Sequence, residues 1–279
     1  MKGDYQMFKV NKEKCVGCTQ CIQDCPTKTI SLVDNKAEIN NDRCMKCGHC
    51  IAICPVNAVS TDDYDMTEVK EYDKETFTVN SENYLNALKF RRSTRRFKDK
   101  KVEKDMLVKV IEAGRFTQTS TNSQDVSYVV LNEKMQEFKD LAYESLKRKG
   151  EYILANMTPE TEYLKKYAQM WVTMYDAYKN DPIKNDRLFF NAPCAIFVIS
   201  KTPLNGGLVS ANMANMVETL GLGTFFNGFA AIACQDNKEL MNLLGIENSS
   251  HLISCLVIGY PDVKYKRTVP RKKASIDWK

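Results

Sequence analysis

The spacing of apolar residues predicts that helical structure begins near residue 81. The stretch SENYLNALKF places Tyr84, Leu85 and Leu88 on one helical face, and Ser81 is suited to cap the start of such a helix. Residues 102–116, VEKDMLVKVIEAGRF, repeat apolar positions every three or four residues. This period is typical of an amphipathic helix packed against a core.

Three short apolar runs further along the chain predict buried strands. They are VSYVVL (126–131), APCAIFVIS (192–200) and HLISCLVIGYP (251–261). Continuous apolar runs of this length are typical of strands covered on both faces. A long helical region from Met135 to about Tyr178 and a helix over residues 207–223, ending in glycine, are predicted between them. Helices and strands in mixed order indicate the α+β class.

The segment before residue 81 has a different character. Between residues 63 and 80 the chain is charged, lacks a clear apolar period and contains no cysteine. We therefore predict a linker at 63–80, which separates an N-terminal domain (1–62) from a larger domain (81–279). A chain of 279 residues has a suitable length for two domains.

Composition restricts the possible functions. Hydrophobic residues make up 43% of the chain, and 40 Lys and Arg against 35 Asp and Glu leave a net charge of +5. This small excess does not indicate a nucleic-acid partner or a membrane surface. No apolar run resembles a signal peptide or a membrane span, so a cytoplasmic protein is expected.

Eight of the eleven cysteines lie in two copies of one motif, C-x2-C-x2-C-x3-C-P. The second copy repeats the first at a constant offset of 29 residues, from Cys15 to Cys44. Three thiolates at such spacing bind one iron-sulfur cube, and the fourth reaches the other cube. Cluster I is therefore assigned to Cys15, Cys18, Cys21 and Cys54. Cluster II is assigned to Cys44, Cys47, Cys50 and Cys25.

Residues 5–60 closely resemble the bacterial two-cluster ferredoxins, which implies a small ferredoxin-like domain with two [4Fe-4S] clusters. The alternative is a pair of zinc knots, although these usually have longer separations between their C-x2-C pairs. His49 lies inside the second motif and is interpreted as a neighbour of the ligands or a surface residue. Cys194, Cys234 and Cys255 lie in apolar surroundings and are predicted to be buried small hydrophobic residues rather than ligands or nucleophiles.

A basic run, RRSTRR, follows the first predicted helix and includes Arg91, Arg92, Arg95 and Arg96. Such runs are often solvated faces or patches for polyanions. Here Ser93 and Thr94 lie between the arginines, and guanidinium groups beside hydroxyls are well suited to bind phosphate. A phosphorylated cofactor is therefore favoured over nucleic acid.

Four segments in order, 88–97, 119–131, 221–229 and 259–273, resemble the FMN-dependent nitroreductase family from about residue 85 to the end of the chain. The resemblance implies a nitroreductase-like α+β domain and a set of FMN contacts. Contacts to the phosphate, ribityl chain and N1/O2 edge are assigned to Arg91, Arg92, Ser93 and Arg95. Contacts along the flavin ring, with a backbone N–H directed at N5, are assigned to Phe225, Phe226, Asn227 and Gly228. The phosphate site is completed by Arg271 and Lys273, with Arg267 a weaker candidate.

The resemblance also assigns Thr119, Ser120, Thr121 and Asn122 to a loop that reaches the FMN of the partner subunit, which implies a homodimer. Asp125 and Val126 depart from the Pro-Trp found in many family members at this place. Gly221, Gly223 and Gly228 do not have the spacing of a dinucleotide fingerprint, so no NAD(P)H site is predicted. No side chain is assigned a catalytic role, because FMN carries the chemistry.

Residues 155–189 contain an aromatic and methionine stripe with a helical period, including Tyr167, Met170, Trp171 and Met174. One interpretation is a helix that packs on the core or on the dimer partner. The other is a lid over the substrate face of the flavin, where flat compounds would stack on these side chains.

These observations predict an oxidoreductase that passes electrons from the clusters to FMN and on to a small organic acceptor. Nitroaromatics, nitroheterocycles, quinones and activated alkenes are the candidate acceptors. Ferredoxin, flavodoxin or another oxidoreductase is the expected donor, which suits an anaerobe. Two alternatives are a flavin that oxidises a substrate and exports electrons through the clusters, and a carrier or redox sensor without a substrate.

Overall fold

The computed structural model describes residues 7–279 and divides into two compact units. The first unit runs to Val79 and also includes the short segment Ser120–Ser123. The second unit comprises Asn80–Thr119 and Gln124–Lys279. Residues 63–79, which the sequence assigns to a linker, thus cluster with the first unit.

The first unit is built from two small antiparallel sheets. Strand β1 (Phe8–Val10) pairs with β4 (Val59–Thr61), so that the two ends of the cysteine region are joined. Strand β2 (Ile30–Val33) pairs with β3 (Lys36–Ile39) through a tight turn in which Asp34 and Asn35 both have positive φ. Asn and Asp tolerate this conformation, which two-residue hairpins require.

Each cysteine motif contains a short helix after its second cysteine. These are α1 (Gln20–Asp24) and α2 (His49–Ala52), each preceded by a residue with positive φ, Thr19 in one copy and Gly48 in the other. The sequence duplication is therefore repeated in the backbone. A small apolar core that includes Phe8, Ile30 and Val59 packs with several of the cysteines.

The segment predicted as a linker contains local structure. A 3₁₀ turn spans Met66–Glu68, and helix α3 spans Lys74–Phe77. Both are capped by aspartates, because Asp65 accepts from Thr67 N and Asp73 accepts from Glu75 N. The Thr67 hydroxyl together with the Thr67 N–H holds the pKa of Asp65 below the ordinary value, and the Glu75 N–H together with the Thr76 hydroxyl does the same for Asp73.

The second unit contains seven helices among the residues described. Their bounds are α4 (Ser81–Phe90), α5 (Lys104–Arg115), α6 (Met135–Ala155), α7 (Lys165–Asn180), α8 (Pro203–Thr219), α9 (Gly228–Cys234) and α10 (Lys238–Leu244). The predicted cap Ser81 is wrong by one residue, because Asn80 caps α4 by accepting from Asn83 N. The predicted helix over 207–223 begins earlier, at Pro203, and Gly223 instead opens a strand.

A four-stranded sheet forms the centre of the second unit. Its strands are β5 (Ser127–Leu131), β6 (Cys194–Ile199), β7 (Gly223–Phe226) and β8 (Leu252–Gly259), paired antiparallel in the order β5-β6-β8-β7. Helices α6, α7, α9 and α10 contribute to the core on one face of this sheet, and α5 and α8 to the core on the other. The central strands β6 and β8 are apolar apart from Ser254 because both of their faces are covered, and the α+β prediction is confirmed.

The three cysteines outside the motifs are buried in this sheet and its helices, as predicted. Cys194, Cys234 and Cys255 are each at most 2% exposed. Burial raises the pKa of Cys194 and of Cys234 to about 12, and raises that of Cys255 well above its ordinary value. No helix among residues 7–279 is both long and apolar enough to cross a bilayer.

Candidate functional site

The eight motif cysteines surround two cavities of the first unit. One cavity is lined by Cys15, Cys18, Cys21 and Cys54. The other is lined by Cys25, Cys44, Cys47 and Cys50. The fold therefore brings together the same two sets of four that the motif spacing predicts, with Cys25 and Cys54 exchanged between the repeats.

Hydrogen-bond donors surround several of these sulfur atoms. Backbone N–H groups donate to Cys15 from Ala37 at 3.4 Å and to Cys54 from Ala58 at 3.2 Å. The hydroxyls of Thr27 and Thr29 each lie 3.5 Å from Cys25 Sγ. Such donors stabilise a thiolate, which is the form that binds iron.

The pKa values of the thiols follow from these contacts. Burial acts to raise the pKa of Cys25, but the Thr27 and Thr29 contacts outweigh it and lower the pKa to about 7. At Cys50, burial together with the nearby Cys44 outweighs a hydrogen bond from its own backbone N–H and raises the pKa to about 12. The cavity around Cys50 therefore favours a neutral thiol unless a cation compensates the charge.

The geometry fits two cubane clusters. In the described part of the chain, no three His, Cys, Asp or Glu side chains converge on a point where one metal ion would bind. A cubane instead takes one thiolate on each iron, so its ligands surround a larger space. His49 is exposed at the start of α2, at the edge of the second cavity.

The Ser120–Ser123 segment has an unexpected environment. The resemblance assigns Ser120, Thr121 and Asn122 to flavin, but this segment lies in the first unit. There the side-chain amide of Asn122 donates to Met45 O at 3.2 Å and to Lys46 O at 2.9 Å. Thr119 remains with the second unit, where its hydroxyl accepts from Gln124 N at 3.0 Å.

A cavity of about 300 Å³ in the second unit, here called the Arg95 cavity, is lined by residues of two segments predicted to bind flavin, Arg95 of the basic run and Phe225 to Gly228. Its lining consists of Arg95, Met170, Met174, Arg187, Leu188, Phe190, Phe225, Phe226, Asn227, Gly228 and Phe229. Two guanidinium groups line it, and none of the described acidic side chains does. The cavity is thus suited to a flat molecule with negative charge.

Aromatic contacts hold the floor of the Arg95 cavity. Phe225 is 4% exposed and packs against Phe97 and Phe190, with ring centroids 6.5 Å and 5.5 Å away. The Arg95 guanidinium carbon lies 5.4 Å from the centroid of the Phe225 ring. This cation–π contact positions the charge of Arg95 at the cavity without an acidic partner.

Asn227 is predicted to lie beside the flavin ring, and its polar groups are already engaged. Its side-chain oxygen caps α9 by accepting from Ala230 N at 3.0 Å, and its amide donates to Leu188 O at 2.8 Å. Its backbone N–H donates to Cys255 O at 2.8 Å. The next N–H, of Gly228, is in the first turn of α9 and has no intrahelical acceptor. The N–H of Phe229 is in the same first turn, so Gly228 and Phe229 both have a backbone donor without an intrahelical acceptor.

The turn that carries Arg187 rests on a buried ion pair. Asp186 is fully buried, pairs with Lys139 Nζ at 2.6 Å, and accepts from Phe189 N at 2.8 Å and Asn191 N at 3.0 Å. Tyr143 Oη accepts from Arg187 N at 2.9 Å. Sequence reasoning missed Arg187, because residues 181–187 (DPIKNDR) carry no periodic signal or motif.

The remaining residues of the basic run lie beside strand β7. Ser93 forms a parallel bridge with Thr224, and Thr94 N donates to Thr224 O at 3.0 Å. Thr224 Oγ1 is buried without a partner among the described residues. Burial raises the pKa of the nearby Glu218, while the charges of Arg91 and Arg92 act to lower it.

Comparison with known proteins agrees with this arrangement. Residues 88–260 match the nitroreductase family, and residues 7–55 match the 4Fe-4S dicluster domain. The chain belongs to the nitroreductase family. No curated protein sequence matches it significantly.

Solved nitroreductases share the fold of the second unit. The Bacteroides fragilis nitroreductase with bound FMN is 16% identical, has a TM-score of 0.54, and aligns over 71% of this chain and 99% of its own. The FMN-bound nitroreductase from Desulfitobacterium hafniense is 19% identical, with a TM-score of 0.51 and coverage of 72% and 100%. An FMN-dependent nitroreductase from Clostridium difficile has 16% identity, a TM-score of 0.51 and coverage of 71% and 100%.

Helix α7 of this nitroreductase family member contributes both to the core and to the lining of the Arg95 cavity. Trp171 and Tyr178 are buried in the core, which agrees with the packing interpretation. Met170 and Met174 also line the Arg95 cavity, as a lid would require. Tyr163 and Tyr167 remain exposed. Met174 is itself 4% exposed and belongs to the core, so the packing interpretation is confirmed for it as well, and the lid over the flavin remains a prediction.

The predicted residues Arg271 and Lys273 lie in the C-terminal stretch after β8, which has no helix or strand beyond Asp262. Both are exposed and neither lines the Arg95 cavity. Their assignment to the phosphate remains a prediction. Asp125, where many family members have proline, accepts hydrogen bonds from Ser200 Oγ at 2.8 Å and Asn205 Nδ2 at 2.7 Å.

A larger cavity of about 820 Å³ lies between α6, α7 and the α9–α10 junction. Its lining includes Arg148, Tyr152, Trp171 and Asp236, and contains none of the residues predicted to bind FMN. Its size alone does not make it the reaction site, because the predicted cofactor residues converge on the Arg95 cavity.

Proposed function

We propose that this protein is an iron-sulfur flavoprotein which transfers electrons from two [4Fe-4S] clusters to FMN and then to a small organic acceptor. One observation carries the proposal. The same chain has two cavities, each lined by four cysteines, and a third cavity lined by two arginines and by aromatic and methionine side chains.

FMN in the Arg95 cavity would supply a carrier that accepts single electrons and delivers pairs. Arg95 and Arg187 would lie near the pyrimidine edge of the ring, where a cation stabilises the negative charge of the reduced form. The Gly228 N–H would donate to the ring, and glycine permits close approach of the backbone. Phe225 and the methionines of α7 would provide apolar contacts to the flat faces.

The phosphate of FMN is proposed to lie nearer Arg91, Arg92 and Ser93, with Arg271 and Lys273 completing its site. Guanidinium groups bind phosphate in a bidentate manner. Burial raises the pKa of the nearby Glu218, while Arg91 and Arg92 act to lower it.

The acceptor is proposed to bind on the α7 side of the cavity. Met170 and Met174 can adjust to acceptors of different shape because the methionine side chain is flexible and polarisable. Nitroaromatic and nitroheterocyclic compounds, quinones and activated alkenes are the proposed classes. The external donor is a one-electron carrier such as a reduced ferredoxin or flavodoxin, and the proposed location is the cytoplasm.

A homodimer is proposed from the surface of α4. This ten-residue helix has no buried residue, and Tyr84, Leu85, Leu88 and Phe90 are each between 41% and 47% exposed. An apolar stripe of this kind on a helix requires a covering partner. A second copy of the chain, with FMN near the interface, would cover it.

The test is rapid mixing of the anaerobically purified protein with either reduced ferredoxin or NADPH. We expect ferredoxin to bleach the clusters first and the flavin next, and a nitroaromatic acceptor then to reoxidise the flavin. Faster flavin reduction by NADPH than by ferredoxin would contradict the proposed route. A flavin that reacts with no small acceptor would instead indicate a carrier or sensor.

A further inference from the structure

The two cluster-binding loops differ at one backbone position. The residue before the second cysteine of each motif is Gly17 in the first copy, with φ +69°, and Lys46 in the second, with φ +54°. A lysine seldom adopts this left-handed conformation, so other contacts must stabilise it. Gly17 packs so closely against the β2–β3 turn that a Cβ would lie 2.4 Å from Asn35 O.

Lys46 is stabilised by three side chains. Its carbonyl accepts from Asn122 Nδ2 at 2.9 Å and from Tyr64 Oη at 3.0 Å, and its ammonium pairs with the buried Asp63 at 2.9 Å. The first loop is supported differently. There Lys36 Nζ donates to Cys15 O at 2.6 Å, and the backbone N–H of Ala37 donates to Cys15 Sγ at 3.4 Å.

Asn122 acts on a peptide group that also contacts a cluster ligand. The oxygen of the Met45–Lys46 peptide accepts from Asn122 Nδ2, and the N–H of the same peptide donates to Cys44 Sγ at 3.4 Å. A hydrogen bond at the oxygen of a peptide strengthens the donor at its nitrogen. N–H donors to cluster sulfurs stabilise the reduced cluster and raise its potential.

We propose that Asn122 is a positioning residue for cluster II, and that its contact with the Met45–Lys46 peptide raises the potential of cluster II. One-electron reduction of cluster II, with no bond formed or broken and no proton transferred, would then occur at a higher potential than without the Asn122 contact. An external one-electron donor, such as dithionite in the assay, would supply the electron. The inference rests on the cluster assignment of the proposed function.

The segment that carries Asn122 supports this role. Ser120–Ser123 is the one part of the chain after Val79 that belongs to the first unit. Thr121 and Asn122 both have positive φ, at 51° and 54°, so the segment holds a strained backbone to present the amide. Such strain is retained where surrounding contacts fix the geometry.

Two variants at position 122 test the proposal in the full-length protein with clusters and flavin. Asn122→Gly removes the amide and accepts the positive φ without strain. Asn122→Asp replaces the donor with a carboxylate that faces two carbonyl oxygens. Lys36→Gln is the matched control, because Lys36 Nζ donates to Cys15 O at 2.6 Å in the loop of cluster I.

The measured quantity is the reduction potential of each cluster. It is determined by EPR spectroscopy during stepwise anaerobic reduction, and iron and flavin contents are measured in parallel. Cys18→Ser and Cys47→Ser assign the signals, because each changes one ligand of one cluster. We expect Asn122→Gly to shift the electron equilibrium about tenfold away from cluster II, which is about 59 mV for one electron. Lys36→Gln should change cluster I alone.

Unchanged potentials in both Asn122 variants, with full iron content, would overturn the inference. Loss of flavin with unchanged potentials would overturn it as well, because Asn122 would then serve FMN. A wild-type protein without two clusters would contradict the proposed function itself, so the two failures can be distinguished.

Discussion

Replacing Lys139 with methionine should destabilise the second unit strongly. Lys139 and Asp186 pair at 2.6 Å, and their side chains are 9% and 0% exposed. Lys139→Met keeps the length of the side chain but leaves the Asp186 carboxylate buried with only neutral donors. Removing one partner of a buried ion pair typically costs about 3 to 5 kcal/mol. We expect a loss of unfolding free energy in that range.

The exposed pair between Glu112 and Arg115 provides a matched control. Its atoms lie 2.9 Å apart, but both side chains are 43% exposed. Solvent screens such a pair, so Glu112→Gln should cost less than about 1 kcal/mol. The double variant Lys139→Met/Asp186→Asn should recover part of the loss, because no charge then remains buried.

Urea unfolding of the FMN-loaded protein, followed by circular dichroism, measures these changes. Flavin content provides a second readout, because the Asp186 turn positions Arg187 at the Arg95 cavity. We expect Lys139→Met to lose flavin and Glu112→Gln to retain it. If Lys139→Met changes the unfolding free energy no more than Glu112→Gln does, the argument from burial is wrong.

Two further predictions concern packing in the second unit. Burial raises the pKa values of Cys194, Cys234 and Cys255, so their thiols should remain protonated. The rate at which these thiols are alkylated in the native protein, measured by mass spectrometry, should therefore not rise between about pH 7 and 9. Rapid native labelling of any of them would contradict this. Gly223→Ala should cost about 1 to 3 kcal/mol, because the new Cβ would lie 2.6 Å from Thr94 Oγ1. Gly207→Ala, in open space on α8, should stabilise by about 0.5 to 1 kcal/mol, and urea unfolding measures both changes.

Much of the fold is local in origin and could be predicted from the sequence. The runs at 126–131, 192–200 and 251–261 form β5, β6 and β8, since strands covered by helices on both faces contain few polar residues. The duplicated cysteine motif similarly predicts the two sets of four that line separate cavities. The early start of α8 also had a signal, because Pro203 occupies the first helical position that proline favours.

Other features depend on contacts between residues far apart in the chain. Arg187 reaches the Arg95 cavity because Asp186 pairs with Lys139 on α6, and no pattern near residue 187 reports this pair. The contact of Asn122 with Lys46 also joins distant segments. Local patterns predict elements, whereas such tertiary contacts determine which polar side chains meet.

The most direct test of the central claim is the cofactor content of the protein purified under anaerobic conditions. The account predicts about eight iron and eight acid-labile sulfide per chain, together with about one FMN. Zinc in place of iron, with no sulfide, would contradict the cluster assignment. Full iron without flavin would contradict the proposed transfer of electrons from the clusters to FMN.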